Sequence, residues 1–293
     1  MANPIRLTIM AAVALIIVLT AASGLYAAPP DIPQAMHLKW LTLDKMPTVS
    51  AYFGITNLSL DELNTDIAGA GYADIRLGGT EYALLDTNDR IIRFRSDYFS
   101  FNNISNAMSG DAADNEFSIK QWKIGVQGDQ GYGYLFGGSP EAASVVLFHS
   151  GGVHLSKIEI EDYSGNTTDS TRLASFEDKW RFGQLMEAGA RLKFTPLVSL
   201  DLSFERSLVF PRFLVWKYAG SAAIEGIIQV AIDEFVYKIL RVSSYSAPIV
   251  NFALKNASTF GIYELRKQKM NYPFKSYAPL VNDTFKIGVS FTF

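Results

Sequence analysis

The sequence predicts an all-β transmembrane antiparallel barrel of about ten strands, within roughly eight to twelve, with a helical insert before the last strand. Three observations carry the prediction. The chain opens on an export signal, long stretches of the remainder alternate between apolar and polar residues, and the chain stops on an aromatic residue that ends one such stretch. Of 293 residues, 48% are apolar and 19% charged, enough for a packed structure and too apolar for global disorder. A formal net charge of −3 leaves no basic footprint for nucleic acid. There is no Cys, so disulfides, thiolate zinc sites and a Cys nucleophile are excluded. With three His in the chain, no metal site is expected, and no cofactor.

Residues 1–27 read as a signal peptide. Arg6 precedes an apolar run from Ile9 to Leu19, and small residues lead to a cleavage site after Ala27. The run is too short to span a membrane comfortably. Residues 28–293 are then the mature barrel. An exported chain without Cys suits a periplasmic or outer-membrane protein better than a disulfide-stapled secreted domain.

The alternation is clearest at the C-terminus. From Thr284 to Phe293 every odd position is Phe, Ile or Val, and every even position is Thr, Lys, Gly or Ser. Successive strand side chains point to opposite faces, so one face is wholly apolar. Upstream, Met186, Ala188, Ala190, Leu192 and Phe194 alternate with Glu187, Gly189, Arg191 and Lys193. After a turn at Thr195-Pro196, Val198, Leu200, Leu202 and Phe204 alternate with Ser199, Asp201, Ser203 and Glu205. A soluble sandwich would turn the apolar face inward, whereas a membrane barrel turns it to lipid and keeps the charges in its lumen. Aromatics near segment ends (Tyr98, Trp122, Tyr132, Tyr134, Trp180, Phe210) fit interfacial girdles and favour the barrel.

On these residues the chain resembles Gram-negative outer-membrane β-barrel proteins, as a broad class and no single family. Phe293, with Phe291, Val289 and Ile287 at every second place before it, resembles the C-terminal signal that the barrel-assembly machinery recognises in that class. The resemblance implies the cell outer membrane as location. It implies outer-membrane lipid and lipopolysaccharide as surroundings, and the assembly machinery as a partner through the C-terminal strand.

The alternating segments are 48–56, 71–84, 90–99, 117–127, 131–138, 143–150, 153–163, 176–195, 197–209 and 284–293. If the first rises from the periplasm, the periplasmic turns are Asp86–Asp89, Gly128–Gln130, Gly151–Gly152 and Thr195–Pro196. The outer connections are then 57–70, 100–116, 139–142, 164–175 and 210–283. Short turns on one side and mostly long loops on the other are the rule for these barrels.

Residues 210–283 are predicted to form a helix-containing outer loop or plug. In Ser221–Leu240 the residues Ile224, Ile228, Ala231, Ile232, Phe235 and Ile239 share one arc, beside a polar stripe of Glu225, Gln229 and Asp233. A second helix runs from about Pro248 to Lys267. The pair can cap the barrel, plug or gate its lumen, or lie on the membrane surface. A transmembrane helix is not expected, because Glu225, Asp233, Glu234 and Lys238 would enter lipid. A shorter loop helix is expected around Leu60, Leu63 and Ile67, ended by Gly69 and Gly71.

His154 and Ser156 are two apart and share a strand face, which resembles, on two residues only, the His and Ser of outer-membrane phospholipases. A turn at Gly151–Gly152 would hold them near the wrong leaflet for outer-leaflet lipid. The glycine-rich stretch Gly125–Gly138 lacks a phosphate-loop ending and reads as strand glycine. Asp111, Asp114 and Glu116 read as solvated loop charge.

The charges assigned to the lumen are Arg93, Arg95, Asp97, Lys123, Glu187, Arg191, Lys193, Asp201, Glu205 and Lys286. A barrel of this size is just wide enough to be filled by side chains, so these are structural ion pairs first and selectivity-setting groups second. The expected function is a structural or interaction barrel with a mostly filled lumen and outer loops that meet a partner or ligand. The alternatives are a narrow gated channel and a lipid hydrolase.

Overall fold

The computed structural model describes residues 45–293 apart from 62, 64–66, 86–87, 109–116, 138–141, 162–166 and 178. The expected signal peptide, residues 1–27, and the acidic residues Asp111, Asp114 and Glu116 lie outside the described residues. Eight strands form a closed antiparallel barrel: β1 (Met46–Ser59), β2 (Ala70–Leu85), β3 (Asn88–Ser105), β4 (Ser118–Leu135), β5 (Ser144–Glu161), β6 (Arg181–Lys193), β7 (Val198–Val209) and β8 (Leu280–Thr292). Each pairs with the next in sequence, and β8 closes on β1 from Thr48↔Thr292 to Ser59↔Val281. Among the described residues three α-helices interrupt the strands: α1 (Thr167–Leu173), α2 (Val215–Val242) and α3 (Ala247–Gln268).

The strand count is eight, not ten. Segments 117–127 and 131–138 are one strand, β4, and segments 143–150 and 153–163 are one strand, β5. The glycines that suggested turns sit opposite one another in mid-ladder, with Gly128↔Gly151 and Gln127↔Gly152 paired. Glycine inside a strand marks close approach as readily as a turn. The connection after β4, closed by a bond from the Phe136 amide to the Ala143 carbonyl, therefore joins the short turns rather than the long loops. Ile67 forms a β-bridge with Phe117, where a loop helix was expected.

Strand ends segregate. Met46, Phe293 and the connections after β2, β4 and β6 lie at one end, the short-turn end, and the longer connections after β1, β3, β5 and β7 lie at the other. The side chains are arranged inside out. Phe53, Ile55, Ile75, Phe99, Phe285 and Ile287 face outward and are about half to two-thirds exposed. Arg76, Lys123, Glu187, Arg191 and Asp201 face inward and are fully buried. A soluble sandwich would show the reverse; an apolar outer girdle around a charged interior is the plan of a barrel that stands in lipid. Strands of 12 to 18 residues are longer than the roughly 9–11 needed to cross a bilayer.

Helices α2 and α3 form an antiparallel hairpin between β7 and β8. It lies on the outside of the wall, against outward-facing residues of β4, β5 and β6, and neither caps nor enters the lumen. No described helix is long and apolar enough to cross a membrane by its own hydropathy.

Candidate functional site

The lumen is filled in layers. At the long-loop end Leu58, Ile104, Ile119, Ile158, Val209 and Leu280 from the strands meet Leu60, Ile67, Phe117, Leu173 and Phe176 from the connections in one buried apolar cluster. Asn106 stitches this lid. Its Nδ2 donates to the carbonyls of Ala68 (3.1 Å) and Gly69 (2.9 Å), and its Oδ1 accepts from the Ile119 amide (2.7 Å). Long connections thus fold over the mouth because they carry apolar residues that need burial.

Below the lid lies an ionic layer. Arg76 of β2 reaches across the barrel to Glu187 of β6 at 2.8 Å and also donates to Asp74 at 2.8 Å. Lys123 of β4 donates to Glu205 of β7 at 2.9 Å. Lys286 of β8 bonds Glu187 at 2.9 Å and also Glu205. The Tyr72 hydroxyl donates to Glu205 at 3.3 Å and to Asp74 at 3.1 Å. Arg76 stacks over the Tyr52 ring with its guanidinium 4.2 Å from the centroid. Charges this deeply buried are tolerable only with such a set of partners.

A second polar layer follows. Arg191 grips Asp201 bidentately at 2.6 and 2.7 Å, and Asp201 also accepts from Tyr52 (2.6 Å) and Ser290 (2.8 Å). Arg191 further donates to the Tyr98 hydroxyl at 3.1 Å. Asp129 accepts from Ser150 and Gln127. At the short-turn end Ile92, Phe94, Leu135, Val146 and Phe148 form an apolar floor. Two glycines make room for this filling. A Cβ at Gly288 would stand 2.2 Å from the Tyr52 ring, and one at Gly183 would stand 2.2 Å from the His154 ring.

The sequence-assigned charges divide between the two faces. Lys123, Glu187, Arg191, Lys193, Asp201, Glu205 and Lys286 point into the lumen and are buried. Arg93, Arg95 and Asp97 point outward on the lower part of β3, where Arg93 approaches Glu81 at 3.8 Å and Asp97 pairs with Lys45. The reason is register: Ile92, Phe94, Ser96 and Tyr98 hold the inner face there, since the floor is apolar. Tyr98, grouped with the girdle aromatics in the sequence, is consequently a lumen residue, and Phe210 is buried beneath the helical hairpin. Sequence reasoning missed Asp74, Arg76 and Asp129. Asp74 and Arg76 alternate with Ala73, Ile75 and Leu77 on β2, and Asp129 stands between Gly128 and Gln130 on β4, in segments with weaker apolar contrast.

His154 and Ser156 do meet, with Ser156 Oγ 2.9 Å from His154 Nδ1, and Ser156 accepts from Gln121 Nε2 at 3.1 Å. They do not sit by a turn, since Gly151–Gly152 lies mid-strand. Both face the lumen beneath the apolar lid, so no lipid or ester reaches the hydroxyl in this arrangement. The C-terminal residues Ile287, Val289, Phe291 and Phe293 all face outward and are 38–69% exposed.

The helical hairpin is built on an inverted plan. Ser221, Glu225 and Gln229 of α2 and Asn251, Lys255, Thr259 and Arg266 of α3 are buried, while Ile224, Ile227, Phe235, Ile249 and Phe260 are exposed. Arg266 donates to Glu225 at 2.7 Å and to Ser221 Oγ at 2.8 Å. Lys255 pairs with Asp233 at 2.6 Å, and Gln229 donates to Thr259 at 2.8 Å. The wall holds the hairpin through Asn256 and His149 (2.9 Å), through Glu264 on Arg206, and through the Tyr134 hydroxyl donating to the Tyr245 carbonyl at 2.7 Å.

No protein-family model matches the chain, and no curated protein matches it. Among solved structures, Neisserial surface protein A (NspA) is 11% identical with a TM-score of 0.41, covering 84% of this chain and 97% of that one. Ail, the attachment invasion locus protein of Yersinia pestis, is 9% identical with a TM-score of 0.32, covering 85% of this chain and 99% of its own. The outer membrane protein OprG from Pseudomonas aeruginosa is 11% identical with a TM-score of 0.26, covering 85% and 97%. Likeness this distant carries no role from any of these proteins to this chain.

Proposed function

We propose that the protein is an integral outer-membrane barrel of the structural or interaction type, with a lumen closed to solutes and with its outer loops as the contact surface. The observation that carries this reading is the double seal: an apolar lid and an apolar floor enclose two layers of paired charge. A diffusion channel keeps its lumen wet, and wide porins use about 16–18 strands to do so. In this reading the short-turn end faces the periplasm and the lid faces outward. Outer-membrane lipid and lipopolysaccharide surround the wall. The assembly machinery reads the outward face of β8, where Ile287, Val289, Phe291 and Phe293 remain exposed beside β1.

The test is planar-bilayer conductance of the refolded mature chain, with folding established by heat-modifiable migration in detergent. Silence is expected. Steady, ion-selective current would replace the closed barrel with a narrow channel, and the charges of both signs in the ionic layer would then set its selectivity.

A further inference from the structure

We infer that the α2–α3 hairpin is embedded in the bilayer beside the barrel, with its outer face on lipid acyl chains. The inference rests on the reading of the barrel as membrane-spanning. Its own support is the inverted plan of the helices. In water, a helix pair hides its apolar face and shows its polar one. Here Ile227 is 71% exposed and Phe235 52%, while Glu225 and Gln229 beside them are 5% and 1% exposed. That is the pattern of a surface bathed by hydrocarbon.

Position and length agree. The hairpin leaves the wall beside Phe182 and Leu208, at the long-loop ends of β6 and β7. Its tip, Tyr245, reaches Tyr134 next to the short-turn end of β4. Helix α3, with 22 residues, is about 33 Å long, close to the thickness of a hydrocarbon core. The hairpin therefore runs beside the apolar girdle and continues past it. An apolar groove of about 570 Å³ lies where Phe252 of α3 stands beside Ala188, Ala190, Phe204 and Phe285, and it opens onto the same girdle.

Charge at first argues against this placement, because the helices are too polar to cross a membrane alone. Partners answer that argument for Glu225 and Asp233. Glu225 is bonded to Arg266 and Asp233 to Lys255, between the helices rather than toward lipid. His149, an outward residue of the wall, is covered by Asn256. Lys238 and Arg241 stand in the last turns before the tip, at interfacial depth. Trp216, 88% exposed in the first turn of α2, marks the other interface.

The chain has no native Cys, so single-cysteine variants are clean reporters. Ile227→Cys and Ile249→Cys probe the hairpin, Phe53→Cys the barrel girdle and Val242→Cys the tip. Each full mature chain carries a small fluorophore in vesicles of phospholipid brominated at mid-chain. Loss of most of the fluorescence at residues 227, 249 and 53, with little loss at 242, is the expected result. Quenching of 227 and 249 by aqueous iodide, with 53 still quenched by bromine, would overturn the inference and leave the barrel reading intact. Protection of 227 and 249 from both quenchers would also overturn it, by placing a second copy or another protein on that face. Iodide quenching at 53 would overturn the barrel reading and the inference together.

Discussion

Glu205 accepts from Lys123, Lys286 and Tyr72 at once, three donors from three strands, in a layer where its side chain has essentially no solvent. Removing it leaves the Lys123 ammonium buried without a carboxylate and Lys286 with Glu187 alone. Glu205→Ala is expected to cost about 3–5 kcal/mol, the range for breaking a buried pair on one side. Arg95 was assigned to the same lumen set from sequence, yet it is exposed on the outer face of β3, and Arg95→Ala is expected to cost less than about 0.5 kcal/mol. Urea midpoints for refolding into vesicles compare the two, and equal shifts would refute the assignment of faces. The contrast explains what single residues reveal. Along Glu187–Lys193, Ser199–Glu205 and Thr284–Thr292 polar means lumen, because those stretches lie within the apolar girdle, whereas Gln184, Arg206 and Asp283 nearer the long-loop end face outward toward the hairpin side. Along the lower part of β3 the rule reverses, because the floor is apolar inside and water meets the wall outside.

The helical hairpin was legible as an element and illegible as a placement. Its 3.6-residue period, and Pro248 in the first turn of α3, announce two helices joined near residue 245. The polar stripe on α2 says only that Glu225 needs something. Its partner, Arg266, lies 41 residues away and becomes a neighbour only after the turn closes. Strands β4 and β5 show the same limit, since a glycine pair across the ladder looks in sequence like two turns. The Glu225–Arg266 pair also yields an element-scale prediction. Glu225→Ala strands a buried guanidinium that still has Ser221, and a loss of about 2–4 kcal/mol is expected. That loss should appear as faster trypsin cleavage at hairpin Lys and Arg sites, with the barrel unaffected. The charge-reversed double variant, Glu225→Arg with Arg266→Glu, should recover protection that either single reversal loses. No recovery would mean the pair does not hold the helices together.

At the scale of the whole molecule, the lumen and the hairpin are separate devices, and deleting one should leave the other standing. A plug and a flange both occupy the connection between β7 and β8, so the sequence could not separate them. The structure does, since every wall residue bonded to the hairpin faces outward. Removing residues 219–270 uncovers His149, Gln184 and Met186 on the outside but leaves the ion pairs of Arg76, Lys123, Arg191 and Lys286 intact within. The deletion variant should therefore be as silent as the intact chain in a planar bilayer. It should also unfold at lower urea, because polar groups of β5 and β6 would meet lipid without partners, at a cost of several kcal/mol each. Conductance appearing only after deletion would require the hairpin to obstruct a path from outside the wall, which its contacts do not allow, and would return it to the lumen as a plug. Silence with undiminished stability would show instead that lipid covers the bared wall as well as the helices do. Only silence with reduced stability is consistent with a barrel sealed by its own side chains and sheathed on one side by helices.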